Sequence, residues 1–330
     1  MAMKVVITGG TGMLGRRLAI RILARPELRG PGGNPEAVDK LVLFDASEPV
    51  EPPPDDPRVQ LVTGDICDPA TVEALIDGET DAVFHFAAVV SGGAEADFDL
   101  GYAVNLTGGR FVLEAARRTG RCPKIVFTSS LAVYGGERSV DDSTALTPRT
   151  SYGAQKAIGE LLVNDYTRKG FVDGRTLRLP TIVVRPGKPN KAASGFASSI
   201  LREPLQGETV SNPVSRDTRM LILSPKRAVQ AFIDVHNVDG DVLGPNRSVM
   251  MNGISPSIGE MLDALRAFAG DAVADRVHEA PDALVQSIVD AWPWYADGAR
   301  ARKLGMKPDA SVQEIIESFV ADELGGKFVS

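Results

Sequence analysis

"KVVITGGTGMLGRRLAIRIL" (Lys4–Leu23) opens as a short apolar run, crosses three glycines spaced three residues apart, and continues as an amphipathic pattern. Lys4–Thr8 reads as a buried strand, and Leu14, Leu18 and Ile22 recur at helical spacing. Between them Gly9, Gly12 and Gly15 stand at Gly-x-x-Gly-x-x-Gly. Glycine permits a tight turn and lets the backbone approach a pyrophosphate. The helix that follows presents unpaired N–H groups and the positive end of its dipole. The arrangement predicts a dinucleotide site formed by Gly9, Gly12, Met13, Leu14 and Gly15, against the plainer alternative of a tight strand–helix turn.

Outward from this stretch the rhythm repeats. "KLVLFD", "VQLVTGD", "DAVFHFAA", "KIVFTSS" and "RTLRLPTIVV" read as further buried parallel strands. Helical stripes lie between most of them, among them Val72, Leu75 and Ile76, and Phe111, Val112, Ala115 and Ala116. Alternating strands and helices predict an α/β protein with a doubly wound parallel sheet, a Rossmann fold, over residues 1–185. Beyond this the sequence turns Pro- and Gly-rich with scattered helices, as in Ile258–Phe268 and Val312–Leu324. Residues 186–330 are expected to be mainly a smaller substrate lobe, interleaved with the first through a return near 217–238.

The 330 residues are 43% hydrophobic and 24% charged, ordinary globular usage, and the formal net charge of −7 argues against binding nucleic acid or an anionic membrane by bulk attraction. No apolar run approaches the ~18 residues of a membrane span, and "MAMKVVITGG" enters its turn too early for a signal peptide. A cytoplasmic protein is expected. Cys67 and Cys122 read as free thiols. His85 sits in an apolar strand without a paired ligand spacing, so it reads as a core histidine and no metal is expected.

The second strand ends in Asp45, where a carboxylate can accept from both ribose hydroxyls of adenosine and repel a 2′-phosphate, favouring NAD over NADP. The 30-residue gap from Gly15 to Asp45 exceeds the usual ~20 because "LRGPGGNPEAVD" reads as an insertion. Asp65 and Ile66 end the third strand, near the adenine in this reading. Ala87 and Ala88 end the fourth, leaving room for the cofactor backbone. Each of these four is as readily explained by packing.

"TSSLAVYG" ends the fifth strand and presents Ser130 at the carboxyl edge of the sheet, where open α/β folds bind ligands. In "TSYGAQK" the four-residue spacing puts Tyr152 and Lys156 on one face of a helix, with Ile158, Leu161, Leu162 and Tyr166 read as its buried stripe.

TGxxGxxG, an acid after the second strand, Ser130 before "VYG", and YxxxK occur here in order. The chain therefore resembles the extended short-chain dehydrogenase/reductases, the NAD-dependent epimerase/dehydratase family, over essentially its whole length. The resemblance implies Tyr152 as acid/base, Ser130 as hydrogen-bond partner of the reacting oxygen, and Lys156 as the group holding the nicotinamide ribose. It places Asn105 of "YAVNLTG" on the fourth helix, in a structural or a proton-relay role, and it implies a homodimer.

Many family members act on nucleotide sugars and carry segments like "RDFIYVDDVA" and "NVYGPG". Here "TRMLILSPKRAV" keeps Arg219 but lacks the acidic pair, and "PTIVVRPGKPNKAAS" replaces the second. "AAVVSGGAEADFDLG" and the stretch from Thr150 to Asn190 resemble instead a subgroup that oxidises C2 of a four-carbon aldonic acid with NAD. A small acid needs a cation, so Arg185, Lys188 and Arg219 are candidates for its carboxylate, with Arg185 preferred for its bidentate fork. Ser91, Gly92 and Gly93 leave room for a polyol chain, or form a flexible loop. A nucleotide-sugar epimerase or dehydratase, and a non-catalytic NAD-sensing protein, are the alternatives.

Overall fold

The computed structural model describes residues 3–25, 27–30, 33–49, 51–187 and 194–330. They divide into two compact units, one of Met1–Val133, Thr150–Arg178 and Val229–Val249, the other of Tyr134–Arg149, Leu179–Ala228 and Met250–Ser330.

The first unit is built on a seven-stranded sheet: β1 (Met3–Thr8), β2 (Val38–Asp45), β3 (Val59–Thr63), β4 (Thr80–His85), β5 (Lys124–Ser130), β6 (Asp173–Leu179) and β7 (Ser248–Met250). Their spatial order is β3-β2-β1-β4-β5-β6-β7. β1 pairs in parallel with β2 (Val5 opposite Leu41) and with β4 (Val6 opposite Val83). The strand order reverses beside β1, so the crevice at its carboxyl end is where such a sheet receives a ligand. Every residue of β1 is buried, which is why it reads as a continuous apolar run rather than an alternating one.

Helix α1 (Met13–Ala24) buries Leu18, Ala19 and Ile22. Helix α2 (Pro69–Leu75) starts where Asp68 accepts from Ala70 N and Thr71 N, with proline at its first position. Together with α4 (Gly109–Arg118) and α5 (Ser151–Arg168), α2 closes over a core containing Val6, Phe44, Val83, Val112, Phe127 and Val163. The insertion before β2 forms a small antiparallel hairpin, Leu28–Arg29 with Pro35–Glu36, which accounts for the long interval before Asp45.

Two expectations change. "RTLRLPTIVV" is not one strand: Pro180 has no N–H for a ladder, β6 ends at Leu179, and Thr181–Ile182 pairs with Ile222–Leu223 in a separate sheet of the second unit. Ser91–Gly93 is not a loop but the opening of helix α3 (Ser91–Ala96).

The second unit packs α6 (Gly195–Leu205), α8 (Ile258–Ala269) and α9 (Val312–Glu323) around Ile200, Leu205, Met261, Leu265, Ile315 and Phe319. Ser257 and Glu260 form a reciprocal capping box at the start of α8. Helix α7 (Pro225–Asn237) lies between α6 and α8 in the chain, and its residues from Val229 onward belong to the first unit. Among the described residues, no helix is long and apolar enough to cross a membrane, and no three His, Cys, Asp or Glu side chains are grouped to hold a metal.

Candidate active site

The turn from β1 to α1 is shaped by close backbone approach. Gly9 has φ +69° and lies under the next strand's exit, so that a methyl group on it would come within 2.8 Å of Ala87 N. A methyl on Gly15 would overlap the Gly9 carbonyl oxygen. Gly12 is exposed, and the first turn of α1 carries neither a side-chain cap nor an acid. The opening N–H groups at Met13, Leu14 and Gly15 therefore have no intrahelical acceptor and suit a pyrophosphate.

Asp45 ends β2 beside this turn. Its Oδ2 accepts from Thr11 N at 3.2 Å and Thr11 Oγ1 at 2.7 Å, and its Oδ1 from Ala46 N at 2.9 Å. These bonds tie the carboxylate to the glycine turn. Asp65 is exposed and caps its own turn through Cys67 N. The Ile66 side chain is 4% exposed and packs in the core with Phe44 and Val72. Ala87 and Ala88 are half-buried just past β4, with Ala87 N pointing at Thr8 Oγ1.

Ser130 is the last residue of β5, half-buried, its Oγ accepting from Ala132 N at 3.1 Å. Helix α5 begins with Thr150 capping Gly153 N, which sets Tyr152 in its first turn and Lys156 one turn on. Lys156 is 2% exposed. Its Nζ lies 5.0 Å from the centre of the Phe127 ring and 5.5 Å from that of Tyr152. Burial lowers its pKa to about 8. His85, its ring tilted against that of Phe127, shares a 2.7 Å hydrogen bond with Thr8 Oγ1. Burial, and then the Lys156 charge, push His85 down to about 3, so it stays neutral.

Asn105 lies in a π-helical turn, Tyr102–Gly108, that leads into α4. Its Oδ1 accepts from Val89 N at 2.8 Å, and its Nδ2 donates to Val89 O at 3.0 Å and to Gln155 Oε1 at 2.7 Å. It clamps the segment after β4 to the helix that carries Tyr152 and Lys156. Gln155 is fully buried, and its Nε2 has no partner among the described residues.

The buried face of α5 differs from the expected stripe. Leu161 is 65% exposed, while Gly153, Lys156, Ala157, Glu160 and Val163 face inward. Glu160 and Gln155 carry no apolar signal, so periodicity passes over them. Their place beside Tyr152 and Lys156, Gln155 between the two and Glu160 one turn further on, is the only cue the sequence offers.

The substrate candidates are divided between the two units. Ser91 and Gly92, half-buried, start α3. Arg185, in the second unit, donates from Nε to Ile182 O at 3.1 Å and from Nη2 to Ser194 Oγ at 2.9 Å, while Arg202 Nη1 holds its carbonyl at 2.6 Å. Arg219 is exposed, paired with Glu260 at 3.5 Å and set over the Trp294 ring. Lys188 lies outside the described residues.

A glycine turn at the carboxyl end of β1, a bare helix N-terminus, Ser130 at the end of β5, and Tyr152 and Lys156 on α5 define a dinucleotide-binding protein of the short-chain dehydrogenase/reductase class. The chain belongs to the NAD dependent epimerase/dehydratase family, whose model matches residues 5–238, and membership implies an NAD(P) cofactor. It is 53% identical over 293 residues to a D-erythronate dehydrogenase of Cupriavidus necator, covering 88% of this chain and 90% of that protein. A Haemophilus influenzae D-erythronate dehydrogenase is 44% identical over the same shares of both chains. The solved structure of a nucleoside-diphosphate-sugar epimerase from Agrobacterium tumefaciens superposes with TM-score 0.92 at 41% identity, covering 99% of this chain and 96% of that one.

Proposed function

We propose that the protein oxidises the C2 hydroxyl of D-erythronate to 2-dehydro-D-erythronate, with NAD as the acceptor. The observation that carries this reading is 53% identity to a D-erythronate dehydrogenase across nearly all of both chains. Lys156 buried against Tyr152 supports it independently, because that pair can prepare a base. Asp45 at the end of β2, bonded to the glycine turn, favours NAD over NADP.

When bound, the nicotinamide supplies the acceptor for the hydride leaving C2. The remaining work falls to side chains. Tyr152 as phenolate takes the proton of the C2 hydroxyl. Ser130 Oγ–H donates to the same oxygen as it becomes a carbonyl. A free tyrosine has a pKa of ~10, so service near pH 7 needs a fall of about three units, or about 4 kcal/mol. The Lys156 cation supplies part of that by favouring the phenolate. Lys156 also holds the nicotinamide ribose.

The acid's carboxylate is assigned to Arg185, whose guanidinium is oriented by Ile182 O and Ser194 Oγ. Arg219 is less suited, its charge being matched by Glu260. Ser91 and Gly92 border the polyol. A homodimer in the cytoplasm belongs to the same reading.

A second reading, nucleotide-sugar epimerisation, is favoured by the 41% identity to the Agrobacterium protein. The two differ in the fate of the cofactor. Absorbance at the NADH band, followed with NAD and C4 to C6 aldonic acids beside UDP-sugars, separates them. Net NADH from D-erythronate supports the first reading; silence on every acid with turnover of a UDP-sugar supports the second.

A further inference from the structure

The carboxylate of Glu160, 2% exposed, sits inside the first unit one helical turn beyond Lys156 and two beyond Tyr152. Four donor groups fill its acceptor positions. Ser129 Oγ donates to Oε1 at 2.6 Å, and Arg178 Nε to the same oxygen at 2.9 Å. Arg178 Nη2 donates to Oε2 at 2.6 Å and Ser248 Oγ to that oxygen at 3.0 Å. The carboxylate thus joins α5 to β5, β6 and β7 at a single point.

A buried ion pair is a poor source of net stability, since desolvation cancels most of the attraction and apolar residues of similar volume hold a core as well. Its distinctive property is direction. A carboxylate saturated by a planar guanidinium and two hydroxyls fixes the turn of helix that bears it against both sliding and rotation. Ser129 is the residue immediately before Ser130, and the helix fixed is the one carrying Tyr152 and Lys156.

We propose that Glu160 is a positioning residue: through Ser129 it sets Ser130 at the end of β5 against Tyr152 and Lys156 on α5. The inference rests on the reading of those three as the reacting set. Hydride transfer tolerates little error in alignment, so a loosened strand–helix register costs turnover before it costs cofactor binding.

The test uses the full-length protein with NAD and D-erythronate. Ser129→Ala removes only the strand–helix bond and leaves Glu160 with Arg178 and Ser248, so the variant is expected to fold. Its kcat falls about tenfold, while the Kd for NAD and the pH profile stay at wild-type values and Tm drops only by what one lost buried hydrogen bond costs. Ser129→Thr, which restores the hydroxyl, recovers most of the rate.

Wild-type kcat in Ser129→Ala overturns the proposal. So does equal loss in the Ala and Thr variants, or a rate loss matched by lost NAD affinity. Tyr152→Phe run alongside reports on the reacting set itself. Should the wild type be silent with D-erythronate, the same variants are ranked on a UDP-sugar: an unchanged ranking sustains the positioning role and rejects only the substrate, and silence on both rejects the two together.

Discussion

Lys156 Nζ stands 5.5 Å from the centre of the Tyr152 ring, one turn along the same helix and almost wholly removed from solvent. The pair is chemically unequal. Burial lowers the lysine's pKa to about 8, so it is a cation near neutral pH that is easily neutralised above it, and below that point it favours a phenolate beside it.

Lys156→Met removes that support. The rise of activity with pH, which follows formation of the phenolate, is expected to move upward toward the ordinary tyrosine value of ~10. The same substitution has a stability signature in the cofactor-free protein. Because the folded-state pKa lies below the unfolded one, the unfolded chain binds more protons between about 8 and 10.5, so the lysine's contribution to stability rises with pH across that window. Denaturant titrations from pH 7 to 10.5 should show the rise in the wild type and its absence in the variant.

Gly15→Ala and Gly12→Ala should differ in kind. The first brings a methyl into the Gly9 carbonyl oxygen, whereas the second meets nothing nearer than that oxygen at 3.2 Å. Gly15→Ala is expected to lower Tm and to weaken NAD by about a hundredfold or more, through displacement of the turn. Gly12→Ala keeps Tm near wild type and weakens NAD less. Calorimetric titration with NAD, paired with thermal melts, reads both.

Asp45→Ala removes the acceptor of two Thr11 bonds and the charge that repels a 2′-phosphate. The ratio of kcat/KM for NAD over NADP is expected to fall about tenfold or more, each lost charge-assisted bond being worth roughly 1.5–3 kcal/mol. A ratio that does not change would remove Asp45 from the cofactor site.

Arg185→Lys keeps the charge and loses the fork. KM for D-erythronate should rise about tenfold with little change in the KM for NAD. Arg219→Ala, which breaks an exposed pair with Glu260, should leave KM for the acid within about twofold. Steady-state kinetics on the two variants decides which arginine meets the carboxylate.

The glycine turn and most of the strands were legible in the sequence because their signals are local: glycines at fixed offsets, and apolar runs too short to be helices. Tyr152 and Lys156 were legible for the same reason. The inner face of α5 was not. Glu160 is buried only because Arg178, eighteen positions away, and Ser248, far beyond, fold onto it, and no period of 3.6 carries that information. Leu161 reads as core by its apolar side chain, yet it faces solvent while the charged Glu160 beside it faces inward. Asn105 was singled out by resemblance, but its clamp on Val89 and Gln155 depends on a π-helical turn that propensity does not announce. The strand break at Pro180 is a local signal, a residue with no N–H, hidden inside an apolar run that looks continuous.

The most direct test of the account is NADH formation by purified protein with NAD and D-erythronate, set beside Tyr152→Phe. Steady NADH accumulation is expected in the wild type, with nearly all of it lost in the variant, whose fold and NAD affinity stay intact. Undiminished NADH formation by Tyr152→Phe would contradict it, since the proton of the C2 hydroxyl would then be leaving by another route.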